Sequence, residues 1–413
     1  MDRNLRALSL GAAVRALGTS LFGPFLALYL HNVLSLSFAL VGVLLFLFGA
    51  VSIPFSVAGG LLTDRRGRRS VFLWTLVGEV AAVGGMGWSM SNGALLGVVA
   101  AALAGSIVTS LGNPANSAYI ADLAEGHDRT QGFMWQRVGH NAGFAAGTAV
   151  GGLLIAALGF ARVVYLGMLV LLVSTSYLAL VLAPSPKDQS IQQGLRGDAT
   201  VGGAPRRPPL RTSLRAIAKD RKFLEFTIGM TLIAVVTGQW NVVFPLFVNS
   251  VLHIPYGWLG LGLSLNGILV VVAQPWTTRI ARGHRHTLLA NVGLLLYVAG
   301  FLLLAVAGAF VLFPLEVFFG VVFLLTMGEN TEAIPYSTLP SNLAPMSERG
   351  AYNGAFVALT GFGYLLATLW GTAGLSLFSD PIVLWTVLML PALPALALLV
   401  RVGRRISPTT DRA

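Results

Sequence analysis

Five ionisable side chains interrupt long apolar stretches of this sequence: Arg15, Glu79, Arg137, Glu329 and Glu332. In a low-dielectric setting each costs a contested few kcal/mol or more, so each needs a partner, water or a function. Glu329 and Glu332 are three residues apart and therefore share one helix face. Two carboxylates that close in apolar surroundings cannot both ionise cheaply, which is the property a proton-coupling site needs. Glu329 is the first candidate to carry the proton and Glu332 the second. Glu79 reads first as a partner for Arg15 and only then as a third proton carrier. The two arginines keep their charge at any depth, so they either hold these acids or bind an anionic substrate.

Polar and aromatic groups on the same stretches are candidate substrate contacts alongside Arg15 and Arg137: Asn113, Asn116, His140, Asn141, Gln239, Trp240, Asn241, Asn266 and Tyr336. An isolated amide in a membrane helix is often interhelical glue worth about 0.6 kcal/mol. The run Gln239-Trp240-Asn241 is denser than glue requires and is the leading contact. His140 reads either as a hydrogen-bonded histidine or as a pH sensor. No metal-ligand cluster, nucleotide loop or nucleophile constellation is present in the sequence. Neither an enzyme nor a resident cofactor is expected.

The elements that must hold these groups follow from composition. The 413 residues are 55% hydrophobic and 10% charged, against about 25% charged in a soluble domain, and the mean hydropathy is +0.77. This is an all-α, multi-pass membrane protein. Cysteine is absent, and the net charge is +11. In a soluble protein that charge would suggest nucleic acid; here it reflects Lys and Arg in the loops, and no nucleic-acid partner is expected.

A crossing helix needs about 20 mostly apolar residues. Twelve such runs are predicted, at 5–30, 36–62, 70–90, 93–120, 130–158, 163–183, 223–250, 256–280, 287–309, 311–339, 350–378 and 381–400. They are spans 1 to 12. The first is read as a retained helix and not a signal peptide, because no small-residue cleavage site follows it. Arg15, Glu79, Arg137 and Glu329 then lie at a common depth, roughly 10–16 Å from one membrane face, at about 1.5 Å per residue.

Basic residues cluster after spans 2, 6, 8 and 12 and are nearly absent from the alternate connections, so both termini are expected in the cytoplasm of a cell-membrane protein. Residues 184–222 form the one sizeable hydrophilic stretch: a Pro/Gly/Ser-rich linker followed by a basic, amphipathic segment expected to lie at the interface. The predicted organisation is a six-helix bundle at 1–183, this linker, a second six-helix bundle at 223–402 and a tail at 403–413.

The halves repeat. A shift of 220 residues carries Gly143 to Gly363, Gly151 to Gly371, Arg129 to Arg349 and Asp122 to Asn342; a shift of 221 carries Pro24 to Pro245 and Pro54 to Pro275. Internal six-span repeats are typical of transporters that rock two bundles around a central site.

The connection after span 2 reads GGLLTDRRGRRS. It resembles the G-x-L-a-D-R-x-G-R-R signature of the major facilitator superfamily at Gly60, Leu62, Asp64, Arg65, Gly67, Arg68 and Arg69, and it lies where that family has it. ARGHRH, from Ala281, is a degenerate copy in the second half. The resemblance covers nearly the whole chain and implies two pseudo-symmetric six-helix bundles, with helices 1, 4, 7 and 10 around a cavity. It also implies a conformational latch: Asp64 facing the N-terminus of helix 11, and Arg68 meeting an acid below helix 4, here Asp122. The plainer reading is that the arginines only set topology.

Span 5, RVGHNAGFAAGTAVGG, resembles the G-x-x-x-G-P-x-x-G-G signature of the drug:proton antiporter branch at Gly143, Gly147, Gly151 and Gly152, with Thr148 where that branch has proline. The arginine many antiporters carry in helix 4 is missing from 95–120. The resemblance implies a monomeric secondary transporter in contact with membrane lipids, exporting amphipathic small molecules in exchange for protons. A symporter or uniporter of sugars, peptides or metabolites is the alternative, and a non-transporting receptor or lipid-handling protein on the same scaffold a third.

Overall fold

The computed structural model describes residues 3–123, 127–185, 188, 210–310, 313–346 and 348–412. Twelve helices among them are long and apolar enough to cross a membrane: Arg3–Val33, Phe38–Arg66, Arg68–Ser91, Leu95–Leu123, Gly132–Leu158, Phe160–Val181, Arg221–Ser250, Tyr256–Ala281, His286–Phe310, Pro314–Leu343, Arg349–Leu377 and Pro381–Arg405. These are the twelve predicted spans, with ends moved by a few residues. The β-type pairing among the described residues is a single bridge between Arg285 and Arg412.

Three spans break, span 12 between Pro381–Met389 and Ala392–Arg405 and spans 1 and 7 at matching places. Span 1 runs as α-helix over Arg3–Ser20, tightens to a 3-10 turn at Gly23–Phe25 and widens to a π-turn at Tyr29–Val33. Span 7 breaks after Thr237 into a 3-10 turn at Gly238–Trp240 and resumes at Val243–Ser250. Pro24 and Pro245, the repeat-related prolines, sit at these two breaks, where each removes a backbone donor. Interrupted helices in corresponding positions of two halves are a pointer to transport machinery. Span 5, by contrast, is unbroken over His127–Leu158. Thr148 keeps the backbone donor a proline would lack, and its buried hydroxyl donates to the carbonyls of Phe144 and Ala145 at 2.9 and 3.2 Å.

The chain folds as two compact units. Unit 1 comprises 1–36, 44–202 and 255–268; unit 2 comprises 37–43, 203–254 and 269–413. In unit 1, Gly139, Gly143, Gly147 and Gly151 of span 5 lie directly on the span 1 backbone. A Cβ on each would strike the carbonyl of Ser9, Ala13, Leu17 and Leu21 in turn. Small residues every fourth position let two helices approach this closely. Gly152, on the adjoining face, meets Tyr256 and Gly260 at the start of span 8. In unit 2 the same relation recurs: Gly363 of span 11 lies on the Thr231 carbonyl of span 7, and Gly371 lies against Gln239 and Val243. The glycine repeat is thus a helix-contact repeat, span 5 on span 1 and span 11 on span 7.

Each unit also closes on an aspartate that follows its last helix. Asp188, 5% exposed, accepts from the backbone N–H groups of Arg68 and Arg69 at the start of span 3. Asp411, fully buried, accepts from the Thr287 N–H at 3.0 Å and the Thr287 hydroxyl at 2.7 Å at the start of span 9. The first turn of a helix leaves N–H groups unsatisfied, and its dipole favours an anion there.

Of the hydrophilic stretch, residues 186–187 and 189–209 lie outside the described residues. The basic segment forms a helix over Leu210–Lys219, with Ile217 buried. Asp220 then caps span 7 by accepting from the Phe223 N–H at 3.1 Å.

Candidate functional site

Unit 1 contains a cavity of about 770 Å³, lined by one face from each of several helices. Span 1 contributes Ala12, Arg15, Ala16 and Thr19, at spacings of three and four. Span 5 contributes Phe133, Gln136, Arg137 and His140 by the same rule; span 4 adds Thr109, Asn113 and Asn116, and span 3 adds Glu79. Thus Arg15, Glu79, Asn113, Asn116, Arg137 and His140, singled out from sequence for separate reasons, face one space. Phe133, Gln136, Thr109 and Thr19 were missed, although four-residue steps from Arg137, His140, Asn113 and Arg15 reach all of them.

On the cavity wall Arg15 and Glu79 form a two-point ion pair, Nε to Oε2 at 2.6 Å and Nη2 to Oε1 at 3.1 Å. Thr109 Oγ1 donates to Oε1 at 3.5 Å. The carboxylate side chain is 7% exposed and the arginine 22%. The expected partnership is present, and in addition the acid lines the cavity. The parallel fork supplies both directionality and energy.

At the ends of spans 2, 3 and 4, Arg68 is buried and works as a hub. Its Nε donates to Asp122 Oδ2 at 2.9 Å, and its Nη1 donates to the Thr63 carbonyl and to Asp64 Oδ1, both at 3.1 Å. The Asp64 side chain is 66% exposed. Arg69 donates to the carbonyls of Leu182 and Ala179 at 2.7 and 3.0 Å, across the C-terminal end of span 6, where a cation is favoured. Arg65 is exposed in the last turn of span 2. Gly67 carries φ of 90°, and a Cβ there would strike the Asp188 carboxylate. Among the described residues nothing lies within 4 Å of where a Gly60 Cβ would be, and Gly59 lies on the Leu111 backbone of span 4.

In unit 2, Glu332 is 6% exposed and Glu329 half-buried. A Cβ on Gly293 of span 9 would meet the Glu332 Cβ and the Gly328 carbonyl, so this turn of span 10 is pressed against span 9. The Tyr297 phenol is within electrostatic reach of both acids, and Tyr364 likewise. Tyr336 shares a hydrogen bond with Thr360 at 3.3 Å and packs its ring edge-on to Phe356.

The run Gln239-Trp240-Asn241 does not share one face. Gln239 is fully buried, and its amide donates to the carbonyls of Val235 and Ala367 at 2.8 and 3.2 Å. It ties span 7 to span 11 because Gly371 leaves room for it. Its neighbours diverge: Trp240 stacks on Phe244 at 4.5 Å, while Asn241 is exposed. A break in the helix, not a shared face, explains three polar-capable residues in a row. Asn266 is 7% exposed, and Asn141 is partly buried where its carbonyl backs onto Gly267.

Twelve crossing helices, a repeated helix contact and the hub at Arg68 define a membrane transporter. The family model of the Major Facilitator Superfamily matches residues 8–368, and the chain belongs to that family. It is similar to an uncharacterized MFS-type transporter, YttB, of Bacillus subtilis (strain 168), at 25% identity over 384 residues, 90% of this chain and 88% of the relative. A POT family transporter crystallised with 5-aminolevulinic acid superposes with a TM-score of 0.80 at 13% identity, over 98% of this chain and 97% of that one. A D-xylose-proton symporter gives 0.75 at 13% identity, over 100% and 99%. These solved structures share the fold.

Proposed function

We propose that the protein is a proton-coupled secondary transporter that moves small amphipathic organic compounds by alternating access, with the cavity of unit 1 as the substrate site. The observation that carries this reading is the two-point Arg15–Glu79 pair on the cavity wall. An acid held by an arginine beside a substrate can trade one partner for another: a proton on Glu79 releases Arg15, and its departure re-forms the pair. The span 5 signature supports export in exchange for protons from a cell membrane, with both termini cytoplasmic. Glu329 and Glu332 form a second acid site for the same coupling. A proton gradient is the energy source, no cofactor takes part, and the monomer, surrounded by lipid, is the working unit.

Symport is a second reading, favoured by the excess cation Arg137 in the cavity. A bound anion and a bound proton would reinforce one another there. The fold shared with a D-xylose-proton symporter is compatible with it.

Flux of loaded amphipathic compounds from proteoliposomes, with pH gradients of either sign, separates the modes. Antiport speeds exit when the opposite side is acidic; symport speeds it when the loaded side is acidic. Glu79→Gln should abolish gradient dependence yet keep exchange. Saturable flux indifferent to both gradients in the parent protein would remove proton coupling.

A further inference from the structure

We infer that the cavity of unit 1 binds organic monoanions, with the Arg137 guanidinium taking the carboxylate. This rests on the reading of that cavity as the substrate site. Three formal charges line it: Arg15, Glu79 and Arg137. Two of them cancel, because both Glu79 oxygens are held by Arg15, at 2.6 and 3.1 Å, and one also accepts from Thr109. The charge of Glu79 is therefore already matched by Arg15 before any second cation reaches it. Among the described residues no carboxylate lies within ion-pair distance of Arg137. It is a permanent charge on an apolar span, directed at an open cavity, with no protein anion to balance it.

The groups around it are neutral donors and apolar surface. Asn113 and Asn116 of span 4 line the same cavity, and Gln136 and His140 flank Arg137 on span 5. Phe133, one turn away on the same face, offers a ring for an apolar body, and Ala12 and Ala16 leave room opposite. A planar guanidinium fork fits a carboxylate with two parallel hydrogen bonds. An organic cation would meet one uncompensated positive charge and no available acid.

The ion pair also sets how much positive charge the site presents. Facing Glu79 are Arg15 from span 1, Thr109 from span 4, and Arg137 and His140 across the cavity from span 5. Span 6 offers only Tyr165 near Gly87 and Tyr177 in the layer around Phe72, each about two turns away. Neutralising Glu79 thus frees Arg15 as a second cation for the same anion.

The test uses the full chain in nanodiscs and three probes of one shape: naphthoate, naphthamide and naphthylmethylammonium, titrated calorimetrically. Naphthoate should bind about tenfold or more tighter than the amide, the margin expected of a hydrogen bond to a charged group, and the ammonium should bind weakest. Arg137→Gln should erase the preference for naphthoate, Arg137→Lys should keep part of it, and Glu79→Gln should tighten naphthoate binding more than binding of the amide. The Glu79→Gln arm reads the site even where Arg137→Gln does not fold. Equal binding of acid and amide, preference for the ammonium, or weaker naphthoate binding to Glu79→Gln overturns the assignment. So does failure of naphthoate, benzoate and decanoate alike to bind. Flux of a neutral compound in that last case would leave the transporter reading standing; tight naphthoate binding with no competition against any transported compound would instead keep the anion site and remove it from the transport path.

Discussion

Asp188 and Asp411 do the same work in the two units. One accepts from the first N–H groups of span 3, the other from those of span 9, and each stands on the segment after its unit's last helix. The second also takes the Thr287 hydroxyl at 2.7 Å, and the His286 N–H donates to its backbone carbonyl at 2.6 Å. Replacing a capping side chain by alanine costs about 0.5–2 kcal/mol. Asp411→Ala should therefore lower thermal stability in detergent by an amount in that range, and Asp188→Ala should do the same. Thermal unfolding of Asp411→Asn, which keeps an acceptor, should fall between. No change in either alanine variant would mean that water replaces the carboxylates at no cost.

Gly67 joins the cap to the family signature. Its positive φ disfavours any side chain, and the Asp188 carboxylate occupies the place of its Cβ. Gly67→Ala should destabilise by about 1–3 kcal/mol, the range for a residue forced into a sparsely populated backbone region. In an Asp188→Ala background part of that loss should disappear, since one of the two clashes is gone. Additive losses in the double variant would show that backbone strain alone is responsible.

Helix contacts give a paired comparison. Gly143→Val drives a branched side chain into the Ala13 carbonyl, whereas among the described residues Gly361 has nothing within 4 Å of its Cβ position. The first variant should yield little folded monomer by size-exclusion chromatography, and Gly361→Ala should match the parent. Equal yields would place the span 1–span 5 contact outside what the fold needs.

For the ion pair, removing one partner strands a charge that is mostly buried. Single variants Arg15→Gln and Glu79→Gln should each lose stability, by up to about 3 kcal/mol, while the double variant should recover much of it. Unfolding midpoints measured in one detergent test this. Simple additivity would mean that both charges are already solvated through the cavity.

Topology is open to single-cysteine labelling, because the chain has no cysteine of its own. Cysteines at the exposed His284, after span 8, and at Asn92, after span 3, should react from opposite sides of intact vesicles. Labelling from one side would break the alternation of spans 3 to 8.

Composition and periodicity determined a good deal by themselves: twelve crossing helices, their pairing into repeats, the signature loop and the identity of the buried charges. These are local or additive properties. An apolar run of about 20 residues crosses a membrane whatever its neighbours do. A charge within it needs an answer wherever that answer comes from. The Arg15–Glu79 partnership was legible for the same reason, as opposite charges at matching depth, whereas Arg68–Asp122 was implied by the resemblance of the loop after span 2 to the family signature. Which face each group presents was not legible. Gln239 and Trp240 are adjacent in sequence, yet a 3-10 turn at Gly238–Trp240 sends the first into the span 11 contact and the second onto Phe244. Gly59 and Gly60 differ for a related reason, one against the span 4 backbone and the other with open space, since neighbouring residues on a helix point about 100° apart. The capping by Asp188 and Asp411 joins positions 120 and 124 residues apart, and no spacing rule reaches that far. Only the packed chain could put Arg137 opposite a Glu79 already taken by Arg15, because the charge left over in a cavity depends on which pairs the helices bring within about 3 Å of each other.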